Sequence, residues 1–263
     1  MEGPSATTAL ILAEAAAGGT ALLWLSGLWG SVKRGFFVLT GASVLGFSLL
    51  SILAAASTIN PEIHSTTEAV TVTAAAIFAG LLGLSLTAFI LRADVVGRVL
   101  GWLAIPSGIA VLVLFAELSD EVRGFPSSLM QIMAGAAFLG AVLVGLLLGH
   151  WYLTDRRLPR EHIRRLATVL LVTVAIEAAA LLVLGLSGEP TDSAGFSVIL
   201  GVAGLTTWLA LGMVGCTGLI AFLIRASLRG ESSRAVQGAT GFFYLAVITA
   251  FTAEMAAKVG FLG

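Results

Sequence analysis

Cysteine is almost missing from this chain: Cys216 stands alone among 263 residues. One thiol excludes an internal disulfide framework and any zinc or iron–sulfur site built on clustered cysteines. Histidine is scarce too, with only His64, His150 and His162, and none falls near the middle of an apolar run. A bis-histidine haem buried between helices therefore has no ligands to draw on, although ligation through His150 alone, or with a methionine, stays open. Charge is also thin, at 11% of residues against 58% apolar, with a mean hydropathy of +1.02. Such a chain cannot cover a water-soluble surface.

Long apolar runs take the place of those groups. Eight stretches of roughly 18–25 residues, each able to cross about 30 Å of hydrocarbon, occupy about 6–29, 36–58, 69–91, 98–118, 127–149, 166–187, 195–224 and 239–261. The expected fold is all-α and integral to a membrane. The connections are too short for a further domain or a nucleic-acid-binding surface. The first run lacks a basic leader and is long for a signal peptide, so it is expected to remain as a span. Pro106 is the one proline well inside a run.

Charge is distributed unevenly. The loops after runs 1, 3, 5 and 7 hold Lys33, Arg34, Arg92, Arg98, Arg156, Arg157 and six further arginines, whereas the opposite loops hold only Arg123 beside several acids. The positive-inside rule places both termini on the outer side of a bacterial cytoplasmic membrane.

Three pairs of segments recur in order. Ala88-Phe89-Ile90-Leu91-Arg92-Ala93 is matched by Ala221-Phe222-Leu223-Ile224-Arg225-Ala226, and Ala116-Glu117-Leu118 by Ala253-Glu254-Met255. Gly27-Leu28-Trp29 before Lys33-Arg34 is matched by Gly149-His150-Trp151 before Arg156-Arg157. The expectation is two parallel four-helix halves, 1–124 and 125–263, forming one membrane domain.

Ionisable groups at membrane depth are costly and commonly mark function. Glu14, Glu177, Glu254 and Lys258 lie within the apolar runs. The i,i+4 spacing of Glu254 and Lys258 puts them on one helical face, where each offsets the other's desolvation. The plainer alternative is a lysine that snorkels to the nearby interface. Glu254 could exchange a proton with a hydroquinone hydroxyl, and Tyr244 lies on the same run toward the opposite membrane face. Glu14 and Glu177 could extend a proton path or fix helix contacts.

A second constellation reads His150-Trp151-Tyr152-Leu153-Thr154-Asp155-Arg156-Arg157 at the inner end of run 5. Interfacial anchoring accounts for the aromatic residues. The histidine adds a group able to bind a proton or a carbonyl oxygen, as an inner-face pocket or docking patch would require. The last run also holds Glu254-Met255-Ala256-Ala257-Lys258, which looks like the acid and lysine of a microbial rhodopsin's last helix. Lys258 is too near the end of the chain for a mid-membrane Schiff base, so retinal is not expected.

Eight spans with outward termini, two halves, and Ala239-Thr240-Gly241 and Tyr244 ahead of Ala253-Glu254 resemble the membrane-anchor subunits of the polysulfide reductase and DMSO reductase superfamily. The Gly149-His150-Trp151-Tyr152-Leu153 segment also resembles one in a group of bacterial membrane proteins. The superfamily resemblance implies a haem-free, metal-free subunit of a respiratory or photosynthetic complex that binds a quinone (menaquinone or ubiquinone). It also implies iron–sulfur or cytochrome partners, with Glu254 as the acid of the last helix and His150 or Asp155 as secondary candidates. A proton-coupled secondary transporter and a purely structural subunit remain as alternatives.

Overall fold

The computed structural model describes residues 3–30, 33–58, 66–120, 124–155, 158–187, 205–229 and 233–259. Eight helices account for nearly all of them: α1 (Gly3–Gly27), α2 (Arg34–Ala56), α3 (Thr66–Ile90), α4 (Asp94–Leu118), α5 (Phe125–Thr154), α6 (Glu161–Ser187), α7 (Leu205–Ser227) and α8 (Ser233–Lys258). All eight are long and apolar enough to cross a membrane. The expected all-α membrane fold is thus present, and the fifth run continues as helix through the His150–Thr154 segment. Residues 195–204 of the expected seventh run lie outside the described residues.

Two helices form the centre. Within their most apolar windows α1 is 72% buried and α5 78%, whereas the other six range from 28% to 44%. Their composition explains this. Between Ala13 and Gly19 α1 carries only one residue larger than alanine or glycine, Glu14, and α5 is similarly fine-grained from Ala134 to Ala137. Small residues let two backbones approach, and van der Waals packing then holds them where no hydrophobic difference from lipid exists. The approach is close: a β-carbon on Gly18 would lie 1.7 Å from the Ala136 carbonyl oxygen, and one on Gly140 would lie 2.4 Å from the Gly18 backbone.

The remaining helices surround that pair. Chain neighbours pack in the order α1–α2–α3–α4, with α4 returning to α1, and α5–α6–α7–α8, with α8 returning to α5. Between these sets α1–α5 is the main contact, with smaller ones at α4–α5, α1–α8 and α2–α5. Large aliphatic residues such as Leu53, Leu84, Val95, Ile176, Leu219 and Ile248 point outward and are more than half exposed or close to it. Such a surface suits lipid rather than water.

Alternation of direction gives the bundle two ends. The α1–α2, α3–α4, α5–α6 and α7–α8 connections share one, here called the arginine end, and Gly3 and Lys258 mark the other, the terminal end. Local chemistry sets the turns. Gly124, at φ +79°, precedes Phe125 and a proline in the first turn of α5, where a proline loses no hydrogen bond. Arg92 takes φ +64°. Its neighbour Ala93 donates to the Ala88 carbonyl at 2.8 Å and Arg92 itself to Phe89 at 3.1 Å. That is the helix ending usually made by glycine.

Candidate functional site

The four ionisable residues singled out in the spans converge. Lys258 is the last residue of α8, and its side chain is fully buried. Helical Cα–Cβ bonds tilt toward the N-terminus, so this side chain leans back along α8 into the bundle instead of toward the terminal end. It does not snorkel. Its ammonium lies 2.7 Å from each carboxylate oxygen of Glu14, and only Oε2 has hydrogen-bond geometry. It also donates to Glu254 Oε2, one turn earlier on its own helix.

Depth makes the arrangement unusual. Glu14 stands about eleven residues into α1, ~16 Å at 1.5 Å per residue, and is 0% exposed, as is Glu254. The nearby terminus is tied down as well, with the Thr7 hydroxyl donating to the Lys258 carbonyl at 3.4 Å. Room for the charges comes from α5. A β-carbon on Gly135 would lie 2.6 Å from Lys258 Nζ and 2.8 Å from Glu254 Oε2. Nothing in the sequence sets Gly135 apart from the chain's other glycines; its value as the notch for the ion pair depends on which way α5 is turned.

Glu177 on α6 completes the group. It too is 0% exposed and lies within electrostatic reach of Glu254, Lys258 and Glu14. Neither of its carboxyl oxygens has a hydrogen-bond partner among the described residues, and the same holds for Glu254 Oε1. Two carboxyls therefore contact the ammonium and a third lies within electrostatic reach; with the lysine charged, the group is electrically neutral only when two of the three carboxyls carry protons. Such an assembly can take up or release a proton without leaving the membrane interior. Among the described residues no three His, Cys, Asp or Glu side chains gather closely enough to hold a metal ion.

Tyr244 stands apart from that group. It precedes Glu254 by ten residues on α8, about 15 Å along the axis, and is 49% exposed on the bundle's outer surface. Its hydroxyl meets His150 Nδ1 at 3.4 Å. Tyr244 lies about eleven residues into α8, and its hydroxyl reaches His150, about one turn from the end of α5 at the arginine end. A phenol and an imidazole thus share a weak hydrogen bond on a surface lined by Leu245 and Ile248, which are 50% and 62% exposed.

The rest of the His150–Arg157 segment divides. Trp151 lies over Gly35, where a β-carbon would come 2.2 Å from the ring. The Tyr152 hydroxyl donates to the Pro159 carbonyl, and Asp155 pairs with Lys33 at 2.7 Å. These three residues fasten the end of α5 to its neighbours, leaving His150 as the member turned toward another candidate. Arg156 and Arg157 lie outside the described residues, as does His64.

In comparisons with known proteins, no family model matches the chain, and no curated protein or solved structure is similar enough to count as a match.

Proposed function

We propose that this chain is a haem-free, quinone-interacting membrane subunit of an electron-transfer complex. The observation that carries this reading is the Tyr244–His150 pair on the outward, apolar surface of the bundle near its arginine end. A quinone reaches its partners through the hydrocarbon. Its carbonyls accept hydrogen bonds and its reduced hydroxyls donate them, and a phenol beside an imidazole can do either. The Glu14–Lys258–Glu254 group, with Glu177, supplies proton exchange farther along the same helix. Iron–sulfur or cytochrome subunits would carry the electrons.

The architecture is read in keeping with that role. Two four-helix halves, residues 1–124 and 125–263, would meet along α1 and α5. Both termini would face outward from a bacterial cytoplasmic membrane, with the arginines on the inner side.

A second reading, a proton-coupled carrier, is favoured by one observation: the buried group draws Glu14 from one proposed half and Glu177, Glu254 and Lys258 from the other. Carriers commonly place their sites at such a junction but build them on interrupted helices. Here α1, α5, α6 and α8 run unbroken past the site.

The test is purification of the native assembly in mild detergent, with protein mass spectrometry and quinone extraction. The quinone reading expects redox subunits and bound quinone, with retention reduced about three- to tenfold by Tyr244→Phe, as loss of one hydrogen bond would produce. A lone chain without quinone that drives proton-linked uptake in vesicles would replace it with the carrier reading.

A further inference from the structure

A cavity of about 840 Å³ opens between α6 and α7 at the arginine end. Neither the Lys258 group nor the Tyr244–His150 pair touches it. Its walls carry Arg164 and Arg165 from the start of α6, and Arg225 and Arg229 from the end of α7 and just beyond. Among the described residues Glu161 is the acid on the lining, so there four positive charges face one negative.

The guanidinium groups are held ready. Arg164 donates through Nε and Nη2 to the Leu228 carbonyl at 3.2 and 2.8 Å. Arg225 donates to the Thr168 hydroxyl. Both partners are neutral, so these bonds fix direction without cancelling charge. Arg165 pairs with Glu161 at 3.3 Å and lies 5.8 Å from the centroid of the Trp29 ring. Arg229 has no hydrogen bond or ion pair from its guanidinium among the described residues. Three arginines thus lack an acidic partner.

Below the charges the lining turns apolar. Val169 and Val172 follow on the same face of α6, and Val172 is 54% exposed on the lipid-facing surface. Trp29 closes one side and is stacked against His162 with 6° between the ring planes. The cavity is far roomier than a bare oxyanion needs. It joins cationic donors suited to phosphate oxygens to a hydrocarbon-facing wall.

We propose that this cavity binds the phosphate headgroup of an anionic phospholipid, with an acyl chain lying along Val169 and Val172. Basic pockets between membrane helices recognise such headgroups through charge and hydrogen bonding together. A free phosphate ion shares the headgroup chemistry but makes no use of the apolar wall.

Native mass spectrometry of the detergent-purified chain, delipidated and then titrated with defined lipids, tests this. Phosphatidylglycerol and cardiolipin should be retained over phosphatidylcholine. Retention should fall about fivefold in R229Q, and further in R225Q/R229Q, as expected for loss of one and then two charges. R92Q/R98Q, which removes two arginines from the same end but outside the cavity, should bind as the parent does. R229Q breaks no observed bond, so its Tm without lipid should stay that of the parent. Equal retention by the cavity variants, or an equal loss in R92Q/R98Q, would overturn the site. Protection by inorganic phosphate as strong as that by anionic lipid would overturn the lipid assignment and leave a simple anion site.

Discussion

Lys258 and Glu14 meet through a 2.7 Å ion pair across 244 positions of sequence, with neither side chain exposed. The contact joins the last turn of α8 to the middle of α1 and brings a full positive charge into the bundle.

Chemical labelling gives the most direct check on that geometry. The chain has two lysines, Lys33 and Lys258, and the Lys33 side chain is 62% exposed. An amine-reactive reagent applied to the folded protein should modify Lys33 and spare Lys258. Peptide mapping should find Lys258 modified only after denaturation. Equal labelling of both lysines in the folded protein would contradict the inward orientation.

Removing the ammonium should be costly. Lys258→Met leaves buried carboxyls without their cation, and breaking a buried pair from one side costs about 3–5 kcal/mol. Thermal unfolding in detergent should show that loss. The double variant Glu14→Gln/Lys258→Met should recover part of it. A double-mutant cycle with no coupling would mean that the two groups do not interact in solution.

Glu177 should behave differently from its neighbours. Its carboxyl has no hydrogen-bond partner among the described residues, so Glu177→Gln removes an ionisable group at nearly constant shape and breaks no observed bond. Stability should stay within about 0.5 kcal/mol or rise. Any proton-linked activity should fall. A large drop in Tm would instead mark Glu177 as a structural anchor.

Two glycines of the centre should rank in a definite order. At Gly18 a new methyl meets the Ala136 backbone at 1.7 Å, whereas at Gly135 it meets the movable ends of Lys258 and Glu254 at 2.6 and 2.8 Å. Gly18→Ala should cost at least about 1–3 kcal/mol, the usual penalty for overpacking. Gly135→Ala should cost less in stability but disturb the ion pair, and Lys258 should become easier to label. Reversal of that order would show that α1 and α5 do not cross at Gly18.

Arg92 offers a stabilising change. It holds a left-handed backbone, φ +64°, at the end of α3, where a side chain costs roughly 1 kcal/mol relative to glycine. Arg92→Gly should raise Tm by an amount of that order, and a fall would point to a contact made by the arginine itself.

Much of the fold was legible because crossing a bilayer demands a length and a composition, and both are local properties. The eight runs matched eight helices; apart from the start of the seventh, where 195–204 lie outside the described residues, the ends are displaced by a few residues where polar or aromatic positions such as Tyr152 and Glu161 still continue a helix. The Glu254–Lys258 neighbourhood was equally local, because four residues make about one turn. Glu14 could be recognised as costly but not paired, since the partner depended on how α1 and α8 are turned. Tyr244 and Glu254 share a helix and an expected role, yet about 15 Å of axis separates them.

From sequence alone came the membrane, the number of crossings and the short list of ionisable groups, because hydrophobic length and desolvation cost are written residue by residue. Tertiary structure alone decided that Lys258 turns inward, that Gly135 leaves it room, and that His150 faces Tyr244. Those outcomes depend on helix rotation and close backbone approach, which arise from packing between distant segments and leave no periodic trace in the chain.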